Sequence, residues 1–196
     1  MVRTRPAAPA RNANKASMFG TLTFAALPLA EGTQASVKAM GFETMTKIQE
    51  RAIPPLLEGK DLLGNAKTGS GKTLAFLVPM VDLLTKARFQ QNRGLGGLVI
   101  SPTRELSLQI YNVLRELVGG SGSQHTHGLV IGGANRRGEA ERLVKGVCLL
   151  VATPGRLLDH LSNTSGFNHA NVLMFVIDEA DRLISKGNFP QLKQIF

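Results

Sequence analysis

Ala66-Lys67-Thr68-Gly69-Ser70-Gly71-Lys72-Thr73 is a glycine-rich turn closed by a lysine and a hydroxyl residue. Glycines let a backbone turn sharply and approach an anion, so that successive N–H groups and the start of the next helix point at a phosphate. Lys72 would then reach the β- and γ-phosphates of a nucleotide, and the Thr73 hydroxyl would ligate Mg²⁺. The general motif begins with glycine where this sequence has Ala66. Farther along, Asp178-Glu179-Ala180-Asp181 follows an apolar run. A carboxylate at a strand end can hold Mg²⁺, and a neighbouring one can orient and deprotonate water. Asp178 is assigned to the metal and Glu179 to the water. Standing alone, such a quartet is an ordinary helix N-cap; the phosphate loop upstream decides between the readings.

Three further peptides have the same placement. Pro102-Thr103-Arg104-Glu105-Leu106, Gly132-Gly133 and Thr153-Pro154-Gly155-Arg156 each follow a short apolar run. The runs at 61–64, 98–100, 129–131, 147–151 and 172–177 are expected strands. Several are apolar throughout, as strands buried on both faces of a parallel sheet are. Helical patterns separate them at 72–84, 104–118 and 139–144, with another at 191–196. The second carries Leu106, Ile110, Val113, Leu114 and Leu117 on one face. Alternating strand and helix implies a doubly wound, mainly parallel α/β sheet flanked by helices. In such sheets ligands bind beyond the carboxyl ends of the strands, so five peptides at five strand ends form one binding edge. Segments 93–97 and 119–124 are glycine-rich and read as flexible loops.

Composition narrows the class. The 196 residues are 43% apolar, which excludes wholesale disorder. The single cysteine, Cys148, excludes a disulfide framework and a cysteine-based zinc site. No apolar run is long enough to span a membrane. The net charge of +9 points to an anionic partner such as nucleic acid. Arg3, Arg5, Arg11 and Lys15 precede the first acid, Glu31, so much of this excess sits in a basic tail over residues 1–20, expected to be disordered. Residues 21–196 are expected to form the folded domain. An arginine-rich, acid-poor start also fits a mitochondrial transit peptide.

The ordered set of motifs resembles the first RecA-like domain of the DEAD-box RNA helicases over roughly residues 22–196. The resemblance extends upstream. Gly41-Phe42-Glu43-Thr44-Met45-Thr46-Lys47-Ile48-Gln49 is similar to the family's adenine-reading Q motif, and Phe24 matches its isolated upstream aromatic. It implies that Gln49 reads the adenine edge, that Phe42 packs on the ring, and that ATP and Mg²⁺ are the cofactors. It also implies that Pro102, Thr103, Arg104, Gly132, Gly133, Thr153, Pro154, Gly155 and Arg156 contact an RNA backbone. The chemistry agrees, since arginines pair with phosphate and threonine hydroxyls donate hydrogen bonds. With no tryptophan and one tyrosine, little base stacking is expected.

Segments 66–69 and 157–161, with Asn163-Thr164 and Gly166-Phe167, resemble the nucleolar subgroup active in ribosomal RNA maturation. That resemblance implies a nucleolar protein acting on pre-ribosomal RNA; the arginine-rich start leaves the mitochondrion as the other location, and a monomer is expected. Met45 and Lys47 stand where the Q motif commonly has prolines, and 185–189 departs from the family's usual continuation. The family's Ser-Ala-Thr motif and second RecA-like domain are not in this sequence. Arginine fingers supplied from outside such a domain are worth about 10³–10⁵ in rate in related enzymes, so this chain alone is expected to be nearly inactive. A non-catalytic nucleotide- or RNA-binding module is the alternative, and a DNA-directed relative a third.

Cys148 is expected to be a small core residue. His125, His127, His160 and His169 show no metal-ligand spacing and are expected to be surface or satisfied histidines. Arg136 and Arg137 are expected on a solvated face.

Overall fold

Residues 18–119, 125–185 and 187–195 are described by the computed structural model. Four strands form one parallel sheet: β3 (Gly97–Ile100), β4 (His127–Val130), β5 (Leu149–Ala152) and β6 (Met174–Ile177), in the order β4-β5-β3-β6. Side chains alternate along a strand, and here both faces are buried. Val99, Leu149 and Val151 join one apolar cluster, whereas Leu98, Ile100, Leu150 and Ala152 join another on the opposite face. This two-sided burial is why these runs are apolar throughout.

Helices cover both faces. On the first lie α3 (Lys72–Lys86), through Leu77, Met80 and Leu84, and α4 (Arg104–Gly119), through Ile110, Leu114 and Leu117. On the second lie α5 (Arg136–Lys145), α6 (Pro154–Asn163), α7 (Ala180–Ser185) and α8 (Phe189–Ile195), through Leu143, Leu157, Leu183 and Leu192. Cys148 is buried in the first cluster, as expected of a small core residue.

Ahead of the sheet stands a small unit absent from the sequence expectation. Strands β1 (Phe19–Thr23) and β2 (Thr44–Thr46) pair antiparallel, with α1 (Glu31–Ala39) between them and α2 (Lys47–Leu57) after them. Because β1 starts at Phe19, the tail cannot extend to residue 20. Residues 1–17 of that tail, and 120–124 of the second loop, lie outside the described residues.

The strand expected at 61–64 does not form. The segment is irregular and pairs with no described strand, and Leu63 is 100% exposed. A strand exists only as part of a hydrogen-bonded ladder. Among the described residues β6 is the last strand of the sheet, and Leu173 and Ile177 are exposed. No helix among the described residues is long and apolar enough to cross a membrane.

Candidate functional site

Backbone bonds just past the strand ends hold the loops of the binding edge. Ser101 N–H donates to Ala152 O at 3.0 Å, Thr153 N–H to Val130 O at 3.0 Å, and Asp178 N–H to Ile100 O at 2.9 Å. Each peptide after a strand is therefore fixed to the end of its neighbour. The helices that follow begin at once. Thr103 Oγ1 caps α4 by accepting from Leu106 N–H at 3.2 Å. Pro154 opens α6, where a missing N–H costs nothing.

Three of these peptides converge on one open cleft of about 680 Å³. Pro102, Thr103, Arg104, Gly132, Gly133, Thr153, Pro154, Gly155 and Arg156 all line it. Every residue assigned to an RNA backbone in the sequence is thus in one place. Glu105 and Asp159, from motifs read in the sequence, line it as well, together with Asn188 and Gln191, which nothing in their spacing marked. The two arginines differ. Arg104 is exposed and makes no ion pair among the described residues, and its guanidinium lies against the Gly132-Gly133 backbone. Arg156 is only 15% exposed and is engaged within the protein. Its Nη2 donates to Ala134 O at 2.7 Å and its Nε to Ile131 O at 3.2 Å, with Glu139 Oε2 3.1 Å from Nε. Asp159 is paired with Arg136 at 2.7 Å, and that bond, then one from Asn163, holds its carboxyl down at about 2. Arg137 pairs with Glu141 on the exposed face of α5.

The phosphate loop is open to solvent. Gly71 has φ +93 at the N-cap of α3, a left-handed conformation suited to glycine. It frees the first turn of α3, which carries Lys72 and Thr73. Ala66, Lys67, Thr68, Gly69 and Ser70 form the irregular turn before it, closed by Ser70 N–H to Lys67 O at 3.2 Å. The Q-like segment buttresses this turn. Gln49 is buried, and its Nε2 donates to Gly71 O at 3.0 Å while its Oε1 accepts from Thr46 N–H at 2.7 Å. Both ends of the amide expected to read adenine are engaged with the protein. Phe42 is exposed, but Phe24 is 2% exposed and packed in the core. In this structure Phe24 therefore packs its ring inward, away from solvent. It anchors the segment instead, its N–H donating to Glu43 O at 2.9 Å.

The acidic box lies at the end of β6. Burial raises the Asp178 pKa above the usual carboxylate range, Glu179 adds to the rise, and Lys72 opposes it. The Lys72 ammonium therefore acts on Asp178 across the strand ends. Glu179 has φ +50, an uncommon conformation for a residue with a side chain, costing about 1–2 kcal/mol. Its carboxylate is 2.7 Å from Arg182 Nη1. Among the described residues no group of three or more His, Cys, Asp or Glu is placed to hold a metal. The hard oxygens of Thr73 and Asp178 suit Mg²⁺, which is typically bound by one or two protein oxygens together with substrate phosphates.

The four histidines are satisfied. His125 contacts Thr85 Oγ1, His127 the Tyr111 hydroxyl, and His169 the Phe167 carbonyl. His160 is buried against Glu139 and Thr164.

A two-faced parallel sheet with a phosphate loop, an acidic box and a cleft along its carboxyl edge defines a P-loop nucleotide-binding domain. The chain belongs to the DEAD/DEAH box helicase family, whose model matches residues 46–196. It is 58% identical over 176 residues to an ATP-dependent RNA helicase has1 of Emericella nidulans, covering 90% of this chain and 29% of that protein. It is 56% identical over 184 residues to an ATP-dependent RNA helicase has1 of Schizosaccharomyces pombe, covering 94% of this chain and 32% of that protein. The chain thus spans about a third of the length of these curated relatives. Among solved structures it is similar to Mss116p bound to single-stranded RNA and AMP-PNP, with TM-score 0.83 and 31% identity over 89% of this chain and 36% of that one. A DEAD box protein from the hyperthermophile Methanococcus jannaschii gives TM-score 0.79 and 31% identity over 88% of this chain and 46% of that one.

Proposed function

We propose that this chain is the ATP-binding half of an ATP-dependent RNA helicase that couples ATP binding and hydrolysis to local RNA strand separation. The observation that carries the reading is the convergence of Pro102–Arg104, Gly132-Gly133 and Thr153–Arg156 on one cleft, beside a phosphate loop and an acidic box on the same sheet edge. Family membership and relatives named as RNA helicases support it.

The residues divide the work. Backbone N–H groups of 67–72 and the start of α3 cradle the phosphates. Lys72 neutralises the β- and γ-phosphates, and Phe42 packs on the base while Gln49 holds the segment against the loop. Thr73 and Asp178 are the oxygens that would hold Mg²⁺, which when bound neutralises phosphate charge. Glu179 orients the attacking water and takes its proton, which requires it to exchange its contact with Arg182. Arg104, Thr103 and Thr153, with the backbone N–H groups at the start of α6, bind the sugar–phosphate backbone without reading bases.

On the likeness to the has1 proteins and the subgroup motifs, the substrate is pre-ribosomal RNA and the site of action the nucleolus, with the protein monomeric. The complete gene product is expected to hydrolyse ATP in response to single-stranded RNA. Turnover that ignores RNA, or that survives Glu179→Gln, sinks the reading.

The unpaired segment 61–64 favours a second reading for the 196-residue chain alone. With no described strand beside it, this segment gives the phosphate loop little support, and the 196-residue chain alone holds nucleotide weakly without turnover. RNA-stimulated turnover by this chain at the rate of the complete protein would exclude it.

A further inference from the structure

Glu139 carries a carboxylate that the proposed mechanism does not use. It lies in the first turn of α5, 2% exposed. Burying a carboxylate is costly unless hydrogen bonds replace its water. Here two hydrogen bonds and one ion pair do so. Ile131 N–H reaches Oε1 at 3.3 Å, while His160 Nε2 and Arg156 Nε lie 3.0 and 3.1 Å from Oε2. His160 is fixed in turn by Thr164 Oγ1, 2.8 Å from its Nδ1.

The partners of Glu139 come from both walls of the cleft. Ile131 begins the loop that carries Gly132 and Gly133. Arg156 and His160 lie on successive turns of α6, which carries the Thr153–Arg156 peptide. The same peptide region is held a second time, because Arg156 accepts the load at the other polar groups: its Nε donates to Ile131 O and its Nη2 to Ala134 O. Ile131 is thus gripped at its N–H by Glu139 and at its C=O by Arg156, and Ala134 closes the far end. The two glycines between them have no side chains with which to fix themselves.

We propose that Glu139 is a positioning residue for RNA binding: through Ile131, Arg156 and His160 it locks the Gly132-Gly133 loop to the start of α6 at the spacing a nucleic-acid backbone requires. This rests on the reading of the cleft as an RNA site. Glu139→Gln keeps the shape and the acceptor for Ile131 N–H, but removes the charge that pairs with Arg156 and places an amide donor against His160 Nε2.

The test measures two quantities on the complete protein: binding of a fluorescent single-stranded RNA in the presence of AMP-PNP, and KM for ATP. Glu139→Gln is expected to weaken RNA binding about tenfold, with KM for ATP changed less than twofold. Unchanged RNA binding, or a parallel rise in both constants, overturns the proposal, the second outcome marking a merely structural role. His160→Gln gives an independent arm should Glu139→Gln not fold. It is expected to weaken RNA binding by a smaller factor, and no change overturns the proposal. If the unaltered protein itself binds no RNA, the reading of the cleft fails instead.

Discussion

Gln49 Nε2 donates to Gly71 O at 3.0 Å, tying α2 to the left-handed residue that closes the phosphate loop and caps α3. The bond joins two segments that are far apart in sequence and makes the loop's geometry depend on the segment before it. Gln49→Ala is expected to raise KM for ATP about tenfold and to cost about 1–2 kcal/mol in a urea melt, because Thr46 N–H loses its acceptor in a buried setting. Gln49→Glu separates the two effects. It still accepts from Thr46 but cannot donate to Gly71, so KM should rise with a smaller loss of stability.

Asp178 is held above the usual carboxylate range by burial and by Glu179. The sign follows from linkage. A raised folded-state pKa stabilises the fold at pH below the unfolded value and ceases to do so as pH rises through the folded one. At pH 7 the ionised carboxylate therefore works against folding. Asp178→Asn is expected to raise Tm at pH 7, with the advantage vanishing below about pH 4. The same variant should lower ATP turnover about 10²-fold or more. A Tm that falls at pH 7 counts against the burial described here.

Gly133 has φ +80, and a Cβ there would lie 2.5 Å from Arg104 Nη1. Gly133→Ala meets backbone strain and displaces the free arginine of the cleft. A loss of about 1 kcal/mol or more is expected from thermal melts, together with several-fold weaker RNA binding by fluorescence anisotropy. Gly132→Ala has no such φ, and its nearest contact is 3.1 Å from the flexible guanidinium, so its effect should be smaller on both measures.

Much of the site is written in local sequence. The order of motifs, the apolar runs at 98–100 and 147–151 and the amphipathic α4 are readable because a parallel strand buried on both faces needs apolar residues at every position, and a loop meeting phosphate needs glycine. The position of Lys72 at the start of a helix, and of Asp178 at the end of a strand, follows from the same patterns. These features depend on neighbours within a few residues.

The tertiary structure decided what depends on distant partners. The run at 61–64 has the letters of a strand, but a strand needs a ladder and this one finds none among the described residues. Phe24 reads as a ligand aromatic, yet its ring lies in the core. Arg104 and Arg156 look equivalent in sequence; one makes no ion pair among the described residues, while the other is bound to two carbonyls and a buried carboxylate. Glu139 gives no sign of its role, since an acid in the first turn of a helix commonly faces water. Only the meeting of α5, α6 and the Gly132-Gly133 loop buries it. Burial and pairing are set by which elements meet in space, and no short stretch of sequence records that.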